Sequence, residues 1–532
     1  MKHRFSSYLP WFAILFLSVA AAAVLAAQTS EKIDYRVLTQ IRDEGLNRSQ
    51  AMDVVSWLAD VYGPRMAGSP SYKQAADWAA KRMAQLGFSN IHTEKWAFGK
   101  GWQINKFYAS MTEPQVMPII GTVRAWTRGT NGPVAADVLQ VVISSEADFA
   151  KYRGKLAGKI VLTQPKREVR MIENRVTWRM DDALLKEADT MPILPARPAQ
   201  ARPGMAPPAL QNKINQFFVD EKVAVAIDRG SDDFVVTAGG PENLSWMTQR
   251  TDGGTVFVTG RNTLVPAVTI AVEQYNRMVR ILEKGVPVKM DVHIDTQYFE
   301  ETDKNGLNLF GELPGTDLPS EVVLIGAHLD TEPGATGATD NAAGCAVMME
   351  ALRILKAIGA KPRRTIRLAL WDGEESGRLG SIAYVRDHLA DIKTMTLKPE
   401  HEKLSAYYNI DGGTGRIRGI WMQYNLAVRP IFQQLIEPLR DLGVTTLAAR
   451  GDGASDYLSF DEAGIPGFQF MQDRLEFQSR THHSNMDYVD RVQQDDVVQM
   501  AVVVASVAYQ TAMRDERLPR KPLPAPKAPP QR

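Results

Sequence analysis

Cysteine is almost absent from this sequence of 532 residues, because Cys345 is the single one. One cysteine excludes an intramolecular disulfide and every cysteine-rich zinc module, so a metal site would need His, Asp and Glu ligands. The sequence also has no excess of charge of one sign, because it contains 62 Lys and Arg residues and 61 Asp and Glu residues. The formal net charge of +1 provides no global field for a polyanion, and we expect no binding to nucleic acid.

Long hydrophobic runs are missing except at the N-terminus. A basic start at residues 2–4 precedes an uncharged run from Trp11 to Ala27 that is rich in Leu, Ala, Val and Phe. This pattern predicts a signal peptide over residues 1–27 and an exported protein, periplasmic or secreted, that begins near Gln28. An uncleaved membrane anchor is the alternative, because about 17 to 20 apolar residues come close to the length that spans a bilayer.

The rest of the chain divides by composition into four blocks. Residues 28–120 are predicted to form the first part of a main α/β domain, and the stretch from Tyr35 to Phe88 has helical periodicity. Residues 121–299 contain short β-like runs and predict an inserted β-rich domain. Apolar strands alternate with amphipathic helices over residues 300–513, which predicts a doubly wound, mostly parallel sheet. The tail at residues 514–532 is Pro-rich and basic, and we expect it to be disordered.

Acidic and histidine side chains follow four of the predicted strands, at the point where each strand ends. In chain order they are His328 and Asp330, then Asp340 on the following helix, then Glu374 and Glu375, then Asp411, and finally His482 and His483. Because ligands bind at the carboxyl ends of strands in open α/β sheets, we expect these side chains to meet in one crevice. Imidazole and carboxylate groups suit two zinc-like divalent ions.

Two of these pairs permit a finer prediction. Side chains two apart on an extended strand point the same way, so the Asp330 carboxylate is predicted to accept the second ring N–H of His328. Glu374 and Glu375 are adjacent and are expected to point in opposite directions. One of them can then bind metal while the other faces the substrate as a general base, and the residues alone allow either order.

Several segments resemble the motifs of the co-catalytic di-zinc aminopeptidase family. They are AHLDTEPGATGATDNAAG, LALWDGEESGRLGS, NIDGGTG and HHSNMDYVD. The helix segment EALRILKAIGAKPRRTIRLALW makes the sequence most similar to the carboxypeptidase Q branch of that family. YGPRMAGS resembles the N-terminal region of the family, and GKLAGKIVL resembles the protease-associated domain that many members carry as an insertion. The resemblance covers most of the mature chain.

The resemblance implies a zinc exopeptidase fold with two Zn²⁺ ions and a role for each matching residue. Asp340 would bridge the two ions, His328 and Asp411 would complete one of them, and Glu375 and His483 would complete the other. Glu374 would be the general base, Asp330 would orient His328, and His482 would be a pocket or structural residue. Asn341 follows the bridging residue where this branch often has Asp.

The implied activity is that of an exported exopeptidase that removes N-terminal residues or splits dipeptides. Its substrates would be peptides or dipeptides, and a homodimer is compatible with the resemblance. Two alternatives belong to other functional classes. One is a receptor-like homologue without catalysis, as in the transferrin receptor, and the other is a mononuclear zinc acyltransferase of the glutaminyl cyclase type.

Overall fold

The computed structural model describes residues 30–169, 177–192, 208–229, 265–299, 305–453 and 455–526. The predicted signal peptide at residues 1–27 lies outside the described residues. Residues 230–264 of the predicted inserted domain and the last six residues of the tail also lie outside the described residues.

The described residues form eighteen strands in two large sheets and one hairpin. They are β1 (Ser89–Trp96), β2 (Gly101–Glu113), β3 (Met117–Pro118), β4 (Gly121–Val123), β5 (Val134–Gln140), β6 (Ile160–Leu162), β7 (Val225–Asp228), β8 (Ala267–Ile270), β9 (Lys289–Phe299), β10 (Gly306–Leu313), β11 (Leu318–His328), β12 (Arg364–Trp371), β13 (Ala390–Asp391), β14 (Thr396–Leu397), β15 (Leu404–Asn409), β16 (Ile417–Trp421), β17 (Thr446–Ala448) and β18 (Gly467–Gln472).

Twelve α-helices accompany them within the described ranges. They are α1 (Tyr35–Arg48), α2 (Ala51–Ser56), α3 (Pro70–Gln85), α4 (Phe149–Tyr152), α5 (Asp182–Thr190), α6 (Pro208–Asp220), α7 (Val272–Leu282), α8 (Ala343–Ala357), α9 (Leu379–Tyr384), α10 (Arg429–Ile436), α11 (Tyr457–Asp461) and α12 (Gln494–Met513). Short π-helical turns matter at two places near the candidate site, Ala338–Ala342 and Phe477–Thr481.

The main sheet has the strand order β1-β10-β12-β11-β15-β18-β16-β17. Its centre is parallel, because β11 runs parallel to β12 and β15, and β15 runs parallel to β18. Antiparallel pairs occur towards the edges, at β1/β10, β10/β12 and β16/β18. The predicted α/β fold with a mostly parallel sheet is confirmed.

Two long helices cover one face of the main sheet and bury its largest core. Every side chain of α8 from Ala343 to Leu355 is buried, and α12 packs beside it. By length and composition α12 could cross a membrane, yet 89% of its apolar window is buried inside the protein. Its apolar surface is therefore used in the core of this fold. An aromatic cluster that includes Trp371, Tyr407 and Phe460 fills the opposite face.

The second sheet has the order β3-β2-β9-β5-β6-β7-β8-β4 and contains the segment predicted to be inserted. It begins at Gly101, earlier than the predicted boundary at residue 121, because β2 pairs with β9 along its whole length. The pattern of burial along β2 does not alternate regularly between the two faces. A strand without clean alternation has no period-2 signal, which explains why the sequence did not reveal it.

The tail differs from the expected disorder as far as residue 526. Leu518 is buried, and the guanidinium of Arg520 donates to the main-chain carbonyls of His401 and Leu404. Lys521 forms an ion pair with Asp461. The Pro-rich composition suggested disorder, but these anchoring contacts are long-range and leave no local pattern in the sequence.

Candidate metal centre

The predicted site residues meet at the carboxyl edge of the main sheet. His328 is the last residue of β11, and Glu374 and Glu375 lie in the turn after β12. Asp411 follows β15, while His483 follows the turn that succeeds β18. Parallel strands end at the same edge, so four segments that are far apart in sequence bring these side chains together.

Asp340 occupies an irregular turn between β11 and α8. Within Ala338–Ala342 the φ angles of Asp340 and Asn341 are −131° and −139°, outside the helical range, and the peptide bond that joins these two residues is cis. The Asn341 side chain donates to the Ile410 carbonyl at 2.8 Å. The turn thus connects the start of α8 to the end of the neighbouring strand β15.

The two carboxylate oxygens of Asp340 face two different histidines. Oδ1 lies 3.2 Å from Nε2 of His328, and Oδ2 lies 3.3 Å from Nε2 of His483. Each histidine has a second acidic neighbour. Nε2 of His328 is 3.5 Å from Asp411 Oδ1, and Nε2 of His483 is 2.8 Å from Glu375 Oε2. The site therefore has two halves that share the Asp340 carboxylate.

The possible ligand atoms form overlapping groups of three in which all atoms lie within 4.8 Å of one another. These groups are His328, Glu374 and Asp411; His328, Asp340 and Glu375; Asp340, His482 and His483; and Glu332, Glu375 and His483. Glu374 belongs to the half with Asp411, and Glu375 belongs to the half with His483. Both acids also share a group with His328, and both lie in a turn and not on a strand.

Burial and opposite charges act against each other on the ionisation of the site. Burial alone would raise the pKa of Asp340, but its close contacts with the imidazoles of His328 and His483 outweigh burial and hold this pKa well below its usual range. The pKa of His483 lies well above its usual range despite burial, because of the nearby Glu375 and Asp340. Burial raises the pKa of Glu374 strongly, and the charge of Asp411 adds to the effect.

Unsatisfied buried atoms test whether this donor set fits divalent cations. Within the described residues, Nε2 of His328, Oδ2 of Asp340 and Oε1 of Glu375 are buried without a hydrogen-bond partner. Buried polar atoms are normally paired, because an unpaired one costs about 1–3 kcal/mol. Imidazole nitrogens and carboxylate oxygens are zinc ligands, so the donor set fits two divalent ions with Asp340 between them.

Asp330 makes different contacts from the one predicted. Nδ1 of His328 lies 3.0 Å from the main-chain carbonyl of Asp330, whereas the Asp330 carboxylate is 3.6 Å away. That carboxylate accepts the main-chain N–H groups of Glu374 and Glu375, at 3.1 and 3.2 Å. Asp330 thereby connects the end of β11 to the turn that holds both glutamates.

Two buried residues that the sequence did not single out also shape the site. The Asp487 carboxylate accepts the main-chain N–H groups of Thr339 and Asp340, at 2.6 and 3.0 Å. The Arg65 guanidinium donates to main-chain carbonyls of Leu58, Leu329, Thr336 and Gly337. Both lie in motifs that carried the family resemblance, HHSNMDYVD and YGPRMAGS, and that was the available signal.

His482 stands beside the site with its ring against that of His483, at 3.9 Å between ring centroids. Its Nε2 is 3.8 Å from Asp340 Oδ2, farther than the 3.3 Å of His483. The ring of Phe477 contacts it from the other side, at 4.6 Å. This position agrees with a pocket residue, and the shorter distance favours His483 as the ligand.

Comparisons with known proteins find peptidases that are similar to this chain in sequence. Residues 308–508 match the model of peptidase family M28. Carboxypeptidase Q from Mus musculus is 27% identical over 480 residues, 90% of this chain and 88% of that protein. Carboxypeptidase Q from Homo sapiens is 25% identical over 479 residues, with the same two coverages of 90% and 88%.

Solved structures show the same fold. A peptidase M28 precursor from Shewanella amazonensis aligns with a TM-score of 0.65 and 24% identity, covering 92% of this chain and 98% of that one. BSAP, a zinc aminopeptidase from Bacillus subtilis, aligns with a TM-score of 0.54 and 18% identity, covering 87% and 95%. The family match includes all four strand ends that carry the predicted site. The comparisons thus support the suspected resemblance: residues 308–508 match peptidase family M28, and carboxypeptidase Q relatives of 25–27% identity align with 90% of the chain.

Proposed function

We propose that this protein is an exported di-zinc exopeptidase that hydrolyses peptide bonds near the substrate N-terminus. One observation carries the proposal: the Asp340 carboxylate turns its two oxygens towards two histidines, each with its own acidic neighbour. The proposed set for one ion is His328, Asp411 and Asp340, and for the other Glu375, His483 and Asp340. Zinc, when bound, supplies Lewis-acid activation of water and of the scissile carbonyl.

Glu374 is the proposed general base. Its carboxylate lies with His328 and Asp411 but is not needed to complete either ligand set. It would accept a proton from the attacking water and pass that proton to the nitrogen of the leaving amine. Asp330 would support this role by holding the Glu374 main chain, since its carboxylate accepts that N–H at 3.1 Å.

The names of the relatives point to opposite ends of a peptide, one to a carboxypeptidase and one to an aminopeptidase. A digestion experiment separates them. Purified protein with added zinc would be given one peptide in three forms: unmodified, N-acetylated and C-amidated. We expect the acetylated form to resist cleavage and the amidated form to be cleaved from its N-terminus. Resistance of the amidated form alone would contradict the proposed direction, and dipeptides of the same residues test dipeptidase action.

Metal analysis separates the proposed enzyme from its two alternatives. The proposal requires two zinc ions per chain and turnover that a chelator abolishes. A mononuclear acyltransferase would hold one ion, and a receptor-like homologue would show no turnover with zinc present. The joint presence of His328, Asp340 and Asp411 with Glu375 and His483 in one cluster supports the two-ion enzyme.

We also propose a division into a signal peptide, a two-part catalytic domain and an inserted protease-associated-like domain that supplies no metal ligand. Each metal-like group among the described residues draws only on residues between His328 and His483, outside the predicted insertion at 121–299. The export proposal rests on the N-terminal sequence. N-terminal sequencing of processed protein should find a start near Gln28, and an intact Met1 would favour a membrane anchor.

A further inference from the structure

Glu332 lies beside the half of the site that contains Glu375 and His483. One carboxylate oxygen of Glu332 and one ligand atom of each of these two residues lie within 4.8 Å of one another. The three residues also line one small cavity together with Asp340. Glu332 belongs to neither proposed ligand set and is not the proposed general base, although it is closer in sequence to Asp340 than any other acidic residue of the site.

The Glu375 side chain lines this cavity, and within the described residues one of its oxygens has no hydrogen-bond partner. The side chain is only 7% exposed, and its Oε1 is buried without a hydrogen-bond partner. Its other oxygen, Oε2, lies 2.8 Å from His483 Nε2. A buried carboxylate oxygen of this kind needs a hydrogen-bond donor or a cation, because leaving it unpaired is costly.

The loop that carries Glu332 is held at both ends by one buried residue. The main chain of Arg65 makes two hydrogen bonds with Thr331: the Thr331 hydroxyl accepts the Arg65 N–H at 2.9 Å, and the Thr331 N–H donates to the Arg65 carbonyl at 3.1 Å. The Arg65 guanidinium also donates to the carbonyls of Thr336 and Gly337, at 2.9 and 3.0 Å. Glu332 is therefore presented from a segment whose flanking main chain is anchored.

We propose that Glu332 is a further protein ligand of the ion held by Glu375 and His483. This inference rests on the proposed two-ion function. With Asp340 Oδ2, that ion would have four protein donors, whereas the ion of His328 and Asp411 would have three. Zinc is usually four-coordinate. The ion with four protein donors would therefore have no open position and would be tightly held, and the ion with three would keep a position open for water or substrate.

The consequence is an asymmetry between the two ions. His328 and Asp411 would hold an ion that exchanges readily and keeps a position for water or substrate, whereas Glu375, His483 and Glu332 would hold an ion that resists removal. Partial chelation of the wild-type protein should then leave one ion per chain before any loss of fold.

The experiment is a metal titration of the full chain and of Glu332→Gln, starting from metal-free protein. Zinc is competed against a chromophoric chelator, and bound zinc is counted by atomic emission after dialysis. We expect the tighter of the two dissociation constants to rise at least about 10-fold in Glu332→Gln, with the weaker one unchanged. Cobalt substitution gives a second readout, because the visible absorption of Co²⁺ depends on the number of its ligands.

Two further variants control for charge and for folding. Glu332→Asp keeps the negative charge but withdraws the oxygens by one bond length, so it should lose most of the same affinity. Glu187→Gln removes an exposed carboxylate on α5 and should leave both constants as in the wild type. Thermal unfolding of the metal-free proteins checks that each variant folds.

The outcomes are separable. Unchanged zinc affinities in Glu332→Gln, or full affinity in Glu332→Asp, would overturn the proposed ligation. A rise of KM for peptides with both zinc constants unchanged would instead identify Glu332 as a contact for the substrate's α-ammonium group, which also overturns it. Fewer than two zinc ions in the wild type would contradict the proposed function, independently of any effect of Glu332.

Discussion

At the scale of single residues, the adjacent carboxylates Glu374 and Glu375 make the sharpest case. Their main-chain N–H groups are bound by the same Asp330 carboxylate, yet their side chains belong to different halves of the site. Their proposed roles therefore depend on where each side chain points, since both residues have the same carboxylate group.

Glu374→Gln should leave two zinc ions bound and lower kcat by about 10² to 10⁴, because the amide keeps the size of the side chain but cannot accept a proton. Glu375→Gln should instead weaken one ion. Metal analysis and steady-state kinetics on both variants measure this. If Glu374→Gln loses zinc while Glu375→Gln keeps it and is inactive, the two assignments are exchanged.

Asp340→Asn should weaken both ions together. The bridging carboxylate would become a neutral amide, whose nitrogen carries no free electron pair for a metal and whose charge cannot balance two dications. A zinc titration should show both dissociation constants raised. Loss of a single ion would mean that the two oxygens of Asp340 do not serve separate ions.

At the scale of elements, the loop after His483 is coupled to the turn before α8. Asp487→Asn should break this coupling, since an amide has one acceptor oxygen for the two N–H groups of Thr339 and Asp340. We expect a loss of about 1–3 kcal/mol in the free energy of unfolding and zinc binding weakened about 10- to 100-fold. The matched control is Asp490→Asn, an exposed residue of the same segment. Equal effects of the two substitutions would contradict the coupling.

The edge strand β1 is joined to the turn Val385–Leu389 by a titrating contact. Glu94 lies 2.9 Å from His388 Nε2 and 3.6 Å from His92 Nε2. The side-chain hydrogen bonds to Glu94 raise the pKa of both histidines. Burial opposes ionisation of Glu94, but His388 and His92 outweigh it and lower its pKa to about 2.

These pKa shifts set the sign of a pH dependence. A histidine whose pKa is raised by folding contributes stability below about pH 6.5, and that contribution is lost as the pH rises through its folded-state pKa. Glu94→Gln should therefore be less stable than wild type near pH 6, with the gap closing towards pH 9. The three side chains are about one third exposed to solvent, so the gap should stay below about 1 kcal/mol. Urea unfolding at both pH values measures this difference in the free energy of unfolding. A difference that grows as the pH rises would contradict the prediction.

At the scale of the whole molecule, the C-terminal tail packs against residues of the main domain that are far from it in sequence. Truncation after Arg517 removes the buried Leu518 side chain and the Arg520 contacts with His401 and Leu404. Burial of one leucine contributes about 1.5–3 kcal/mol, so we expect at least about 2 kcal/mol less stability with zinc binding retained. Truncation after Ala525 is the control, and equal stability of the two shortened chains would show that the tail does not contribute.

The sequence by itself determined the resemblance to a peptidase family, the parallel sheet and the residue types of the site. Hydrophobic runs such as Val322–Ile325 predict a strand that is covered on both faces, and the polar residues that follow such strands must meet because parallel strands end at one edge. These inferences needed only local periodicity, strand order and motif resemblance.

Only the tertiary structure decided how the site is held. The contact of Asp330 with two main-chain N–H groups, the Arg65 contacts to four carbonyls and the position of Glu332 join segments far apart in sequence. The early start of the second sheet at Gly101 also depends on pairing with a strand nearly 200 residues later. Such contacts are made by main-chain groups, which every residue carries, so the residue types of the chain do not encode them locally.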